Sequence, residues 1–383
     1  MGTQLDILCL EPFYGGMRRI MLETLIKCSR HKWTLLKLPP RRIERRLSAA
    51  SVWFAELLSR HWTGSIDLLF TSEALNLADL YRLHPELIKK PSVVYFHSNQ
   101  LPSEDSREGP LDLVNLNTAM AATEIWFNSL YHLRMFLARA TAVVNRHHEI
   151  AGRNPVADLA AKAHLMNPPV DMKILHNLVT NEVIYRDKRN IFMETRDADL
   201  KILNTTFGML ERRGESFQLM TVGPVDGLHP DVKRVALSET DEVAQCRAML
   251  SSGIFLSSKV GAPFDHLAVR ALSAGCWALC PQDGVYSELM PEVMHSPCLY
   301  DYSPDTLAGR MQDVWHLDHL HNYEYALNDL LKKFDPAIAC KAMDERLEEL
   351  VIAHSVLGSM TSTQVIAGPS KEASQGMQGS KPQ

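Results

Sequence analysis

Short runs rich in β-branched and aromatic residues, each followed by a longer amphipathic stretch, alternate along this chain, and that rhythm constrains the fold more than any other feature. The first half reads LDILCL, a helix after Gly16, WTLLKL, a helix through SAASVWFAELL, DLLF, a helix through ALNLADLYRL, SVVYFH, a helix around LVNLNTAMAA, and EIWFN. Strands separated by helical stretches do not pair as hairpins, so the pattern predicts a parallel sheet wrapped by helices. A second alternation follows: RNIFME, a helix LKILNTTFGMLERRG, SFQLMTVG, a helix DEVAQCRAMLSS, GIFLSS, a helix FDHLAVRALSAG, then CWALCP and a loop holding PQDGVYSELMP. The expected fold is therefore α/β, two doubly wound domains in tandem, in keeping with 383 residues at roughly 100 to 200 per domain. Residues 140–164 are polar and Ala-rich, read as helix and loop, and Pro168 and Pro169 suit a strand entry or interdomain hinge. The expected boundaries are 1–168, 169–335, a C-terminal helix at 336–357 within a helical stretch from 303, and a disordered tail at 358–383, which lacks the apolar content to fold.

Composition removes several classes of function. The formal charge of −5 gives no overall pull toward nucleic acid or an anionic membrane, so any RNA contact depends on local patches. Seven cysteines without Cys-x-x-Cys or Cys/His ligand spacing read as reduced thiols; Cys276 and Cys280 flank a short apolar run and are expected as buried strand residues. No metal site is expected. LDILCLEPF has no basic leader and carries Asp6 and Glu11, and no apolar run reaches the ~18 residues of a membrane span, so the expected location is the cytosol.

Four stretches carry candidate chemistry. After the first strand, Gly15 and Gly16 lack β-carbons at a strand-to-helix turn, where a phosphate or sugar approaches unpaired helix amides; the pair equally marks a tight turn. Arg18 and Arg19 add positive charge there or face water. In VVYFHSNQLP, His97, Ser98, Asn99 and Gln100 follow an apolar strand, at the carboxyl end where open α/β sheets bind ligands; the bland alternative is a histidine satisfied by loop carbonyls. PPRRIERRLSAAS sets Arg41, Arg42, Arg45 and Arg46 against Glu44, a local charge of +3, as an RNA contact or a solvated helix start. GIFLSSKVGAPFDHLAVRALSAG places a helix N-terminus toward a gap between the domains, a geometry suited to a nucleotide diphosphate.

The ordered blocks LCLEPFYGG, LPPRRIERR, LFTSEALNLADLYRLHPEL, YFHSNQL, FNS and AGCWALCPQDGVYSELMP resemble the tRNA-queuosine alpha-mannosyltransferase family, glycosyltransferases of the two-domain GT-B type, over nearly the whole chain. The resemblance implies transfer of mannose from GDP-mannose, with retention at the anomeric carbon, to queuosine in a tRNA anticodon. It implies an acceptor domain at 1–168, a donor domain at 169–335, and the nucleotide sugar as co-substrate without a further cofactor. It carries His97 as the catalytic candidate, Gly15, Gly16, Arg196, Phe264, Asp265, His266 and Arg270 as donor contacts, and Arg46, Asn99, Gln100, Arg107, Asn128 and Ser129 as acceptor contacts.

Several positions depart from the family pattern. Gly-Gly-Ser-His becomes Gly15, Gly16, Met17, Arg18, and His-Glu-Asn-Gln becomes His97, Ser98, Asn99, Gln100, losing a carboxylate. Of Arg-Trp-Glu-x-Asp-Lys, Arg196 replaces the arginine and the donor-site lysine is read as absent from its matching place; the two glutamates eight positions apart become Ala262 and Arg270. Asp265, where the family opens a helix with Phe-Phe-Gly, is expected to cap that helix itself and repel a phosphate by about 4 kcal/mol at 4 Å and an effective dielectric of 20. Arg270 either compensates or pairs with Asp265. Two readings follow: a glycosyltransferase with altered donor recognition, or a catalytically degenerate relative that binds tRNA or a protein. A cleft-bound phosphate would require Arg196 and Arg270 to converge on the gap.

Overall fold

The computed structural model describes residues 3–102, 111–146, 155–224, 226–228, 232–317 and 323–364. Two parallel six-stranded sheets form the frame. The first uses β1 (Asp6–Glu11), β2 (Lys32–Lys37), β3 (Leu68–Ser72), β4 (Ser92–Phe96), β5 (Glu124–Phe127) and β6 (Ala163–Leu165), in the order β2-β1-β3-β4-β5-β6. The second uses β7 (Asp187–Glu194), β8 (Gln218–Val222), β9 (Lys233–Leu237), β10 (Ser252–Leu256), β11 (Trp277–Pro281) and β12 (Leu299–Tyr300), in the order β12-β11-β10-β7-β8-β9.

The apolar runs dictate which strands are central. β3, β4, β10 and β11 are buried throughout, as strands covered on both faces must be, whereas at the edges β2 is half-buried and β9 largely exposed. In the first lobe, α1 (Gly16–Cys28) lies on one face, and α2 (Ile43–His61), α3 (Leu77–Leu83), α4 (Asp112–Ala121), α5 (Leu130–Arg146) and α6 (Pro155–Ala161) on the other; these faces bury two separate apolar clusters. The second lobe adds α7 (Lys173–Asn181), α8 (Leu200–Arg212), α9 (Glu242–Ser251), α10 (His266–Ser273), α11 (Tyr286–Leu289), α12 (Pro304–His316) and α13 (Glu324–Leu331) around one core. Asp199, Asp241 and Asp265 cap α8, α9 and α10, each accepting amides that the first turn leaves unpaired.

The last helix, α14 (Pro336–Gln364), crosses back to the first lobe. Its Cys340, Met343, Leu347 and Leu350 join Met21, Leu22 and Leu25 of α1 in one cluster, and Asp344 accepts from Ser29 Oγ (2.6 Å) and the Arg30 amide (2.8 Å). Where the chain leaves and re-enters the first lobe, the Val170 amide donates to the Phe334 carbonyl at 2.8 Å.

Some local expectations are corrected. Residues 163–165, read as loop, pair with β5 as a strand, and Lys173–Asn181, placed near a strand entry, is a helix. β9 and α11 fall where no element was read. α14 runs to Gln364, past the expected end at 357; the remainder of the tail, 365–383, lies outside the described residues. The seven cysteines are free, and Cys276 and Cys280 are buried in and beside β11. No helix among the described residues is long and apolar enough to cross a membrane.

Candidate functional site at the interlobe cleft

In each sheet the strand order reverses once, between β1 and β3 and between β7 and β10. At such a point successive helices leave on opposite faces and open a crevice at the carboxyl ends of the strands. Each crevice holds an ion pair that the sequence did not single out. In the first lobe Arg18, on the first turn of α1, pairs with Glu73 immediately after β3. Arg18 Nη1 donates to Glu73 Oε2 at 2.8 Å and Nη2 donates to Oε1. In the second lobe Lys259, beyond β10, pairs with Glu194 at the end of β7.

Glu73 is fully buried and organises the turn after β4. It accepts from the His97 amide (3.2 Å), the Ser98 amide (3.0 Å) and Ser98 Oγ (3.0 Å), and Arg18 Nη2 also reaches Ser98 Oγ at 3.2 Å. Burial pushes the Glu73 carboxyl up, but the Arg18 charge and hydrogen bonds prevail and hold it at about 2. Glu73 thus holds the turn that carries Ser98, and Arg18 is a buried ion-pair partner rather than a solvated first-turn charge. Nearby Glu11 is also buried, which raises its pKa, and it accepts the Phe13 amide at 2.7 Å.

Three histidines gather here in neutral form. His97 packs against Tyr95 with ring centroids 4.8 Å apart and the ring planes tilted by 55°; burial, and next the Arg18 charge, lower its pKa to about 3. His266, at the start of α10, is lowered to about 3 by burial and then by Arg270, and it lies within electrostatic reach of His97. His132 on α5 is lowered to about 4 by burial. Neutral imidazoles exchange hydrogen bonds with hydroxyls and do not neutralise phosphate. Three of the buried polar atoms without a partner lie on these elements: Asn99 Nδ2, His132 Nε2 and His266 Nδ1. Buried polar atoms in folded proteins are normally paired, so such a group of orphans marks a place where hydrogen-bonding capacity is held open.

The lobes touch beside this site. Ser129 Oγ donates to the Pro263 carbonyl at 2.6 Å, Glu288 of α11 accepts the amides of Leu130 (2.9 Å) and Tyr131 at the N-terminus of α5, and Tyr131 Oη donates to Asp283 at 2.9 Å. The α5 terminus is thereby filled by a carboxylate from the opposite lobe.

The other expected site residues divide sharply. Gly16 has φ +53 and open space above its Cα, whereas a Cβ on Gly15 would lie 2.4 Å from Pro40 Cγ, so the first glycine serves loop packing and the second serves the turn. Asn128 donates to the His97 carbonyl (3.0 Å) and meets His132 Nδ1 (2.8 Å), which makes it a support of the histidine turn. Asn99 Oδ1 faces Arg139 at 3.4 Å, the Gln100 amide donates to Asn115 at 2.7 Å, and Arg46 donates to the Pro39 carbonyl at 2.9 Å. Arg107 lies outside the described residues. Phe264 packs against His266 and Phe334 with centroids 4.8 and 5.3 Å away.

Arg196 and Arg270 do not converge on the gap. Arg196 pairs with Glu239 at the surface, and Arg270 reaches Cys246 (2.9 Å) and Glu242 (4.0 Å) on α9, not Asp265. Asp265 is spent within its own lobe: Oδ1 accepts the amides of Leu267 (3.0 Å) and Ala268 (3.1 Å), and Oδ2 accepts from Tyr286 Oη (3.1 Å). A lysine does follow Arg196 by five residues, the spacing of the family motif: Lys201, exposed at the second position of α8. A hollow of about 650 Å³ lies elsewhere, near the amino ends of β7, β10 and β11, but its cations are consumed, Arg186 by the carbonyls of Ser252 and Gly275 and Lys188 by that of Leu317.

This architecture is that of the GT-B glycosyltransferases, with two Rossmann-like lobes facing each other across a cleft. It superposes on the trehalose-6-phosphate phosphatase N-terminal domain of Candida albicans with a TM-score of 0.65 at 11% identity, covering 93% of this chain and 98% of that one. It also matches a UDP-forming alpha,alpha-trehalose-phosphate synthase from Burkholderia xenovorans (TM-score 0.63, 8% identity, 90% and 100% covered) and starch synthase IV from Arabidopsis thaliana (0.59, 10%, 92% and 99%). Within that class, residues 6–170 match the tRNA-queuosine alpha-mannosyltransferase N-terminal family. The Drosophila melanogaster tRNA-queuosine alpha-mannosyltransferase is 25% identical over 310 residues, 75% of this chain and 82% of the relative.

Proposed function

We propose that the protein is a glycosyltransferase that moves a hexose from a nucleotide-sugar donor to a hydroxyl of a modified tRNA nucleoside, with GDP-mannose and queuosine, the pair the family resemblance implies, as the leading substrates. The observation that carries the reading is the placing of His97, at the carboxyl end of β4, within electrostatic reach of His266, which opens α10 in the other lobe, both in neutral form. A sugar between them would find hydrogen-bonding partners for its hydroxyls. His97 would bond the transferred sugar or the acceptor hydroxyl, and the open face of Gly16 leaves room for it. Retention at the anomeric carbon belongs to the same reading, with the leaving phosphate rather than a side chain taking the acceptor proton.

The donor's diphosphate would be met by Arg196 and Lys201. Arg196 and Glu239 are 57% and 49% exposed, and a pair so solvated holds together by only ~0 to 1 kcal/mol, so a diphosphate can displace the glutamate. The cytosol is the compartment this reading requires.

One observation favours a second reading, a catalytically silent relative that binds tRNA or a protein. The amides of α8, α10 and α5 that could hold a phosphate are occupied by Asp199, Asp265 and Glu288. Calorimetry with GDP-mannose, GDP and UDP-sugars separates the two. Heat with a GDP-sugar, followed by a hexose mass increment on queuosine after incubation with queuosine-containing tRNA, is expected. Absence of heat with every nucleotide refutes the transferase and leaves the binding module.

A further inference from the structure

Helix α2 breaks two local rules at its start, a left-handed N-cap without a side-chain cap and an excess of arginine that the single first-turn Glu44 does not balance. Arg42, its N-cap, has φ +48 and ψ +86, a left-handed backbone that a branched-off side chain adopts only at a cost, and it makes no side-chain capping bond. Arginines crowd the first turn, where the helix dipole disfavours positive charge. Among the described residues, Arg41, Arg42 and Arg45 are exposed and form no ion pair; Glu44 points to a different side of the helix. Violations of this kind are characteristic of functional positions.

The same solvent-facing stripe continues along the helix. At 100° per residue, positions 42, 45, 49, 52 and 53 share one side, so the arginines are followed by small Ala49 and then by Val52 and Trp53, which are 55% and 41% exposed, before the stripe closes with the Glu56–Arg60 pair at 2.9 Å. The patch sits at the lip of the cleft, because Pro40 packs on Gly15 and Arg46 is tied to Pro39.

We propose that the N-terminal half of α2 is an RNA-docking surface, with Arg41, Arg42 and Arg45 on phosphates and Trp53 under an unpaired base. Guanidinium groups match phosphate with two donors at once, and an exposed indole stacks any base, whereas a purely electrostatic site would need no aromatic. The overall charge of −5 gives no attraction by the bulk of the molecule, so RNA contact depends on local patches, of which this +3 segment is one. The inference rests on the proposed function only for the kind of RNA, and gives its acceptor a position from which a loop reaches the cleft.

Fluorescence anisotropy of the full-length protein with a labelled RNA hairpin, over about 50 to 200 mM KCl, tests it. Arg41→Gln/Arg42→Gln/Arg45→Gln is expected to reduce the slope of log K against log salt by about 2, and Trp53→Ala to weaken binding about 5- to 150-fold without changing that slope. These residues are on the surface, and circular dichroism checks that both variants fold. An unchanged slope overturns the proposal. So does binding to heparin or to anionic phosphatidylserine vesicles as tight as to the hairpin and equally indifferent to Trp53→Ala, which would mark a general polyanion or membrane surface. Donor calorimetry is independent: hairpin binding that passes while no nucleotide binds sinks the transferase and keeps the docking surface.

Discussion

Replacing Glu73 with glutamine leaves Arg18 charged in a place where water cannot compensate it. The magnitude follows from the environment. Glu73 is fully buried and the Arg18 side chain is 11% exposed, so the pair is only weakly screened. A carboxyl held at about 2, against 4.5 in a free chain, corresponds to roughly 3 kcal/mol of stability, within the roughly 3 to 5 kcal/mol cost of breaking a buried pair. Because the folded pKa is depressed, this contribution is complete above pH ~4.5 and disappears as the pH falls through about 2. Urea unfolding followed by tryptophan fluorescence should therefore show Glu73→Gln destabilised by about 3 kcal/mol at pH 7, and the gap to the unmodified protein should narrow from pH ~4.5 downward. The double variant Arg18→Met/Glu73→Gln, which strands no charge and keeps an acceptor for the His97 and Ser98 amides, should recover part of that loss. A loss under about 1 kcal/mol at neutral pH, or a gap that does not vary with acid, would refute the account of the buried pair.

Glu239→Gln should strengthen GDP binding several-fold by calorimetry, because it frees Arg196 from the surface pair, with stability changed by less than ~0.5 kcal/mol; weaker binding would place Arg196 outside the donor site. The three cleft histidines give a separate acid signature: with folded pKa values of about 3 to 4, they stay neutral while the unfolded chain takes up protons, so stability should decline as the pH drops below ~6.5. His132→Asn should flatten that decline in thermal melts recorded between pH ~7 and ~5, and an unaltered pH profile would mean that His132 is charged in the fold.

The frame of the protein was readable because central parallel strands have no wet face: LLF, SVVYF and GIFL announce themselves by continuous apolarity. The strands that escaped notice are the edges. Ala163–Leu165 has three residues, and Lys233–Leu237 is mostly exposed, so neither had a core to write its pattern. Of the candidate site, the turns at Gly16 and His97 could be picked out as strand-to-helix punctuation, and Asp265 caps its helix as its position suggested. Glu73 and Lys259 were missed because a single charge after an apolar strand looks like ordinary punctuation; only the reversal of strand order brings each opposite its partner. Arg196 and Arg270 were to converge if the cleft binds a phosphate and to turn to solvent or carboxylates if not; they turn to carboxylates, Glu239 and Glu242.

The return of α14 to α1 has a topological outcome: the first lobe is discontinuous in sequence, and the second is an insert whose entrance and exit stand side by side at Val170 and Phe334. A fragment cut at the linker would leave the strip of Met21, Leu22 and Leu25 bare to solvent, while excision of the insert, with its two ends spliced through a short turn, would keep that strip covered.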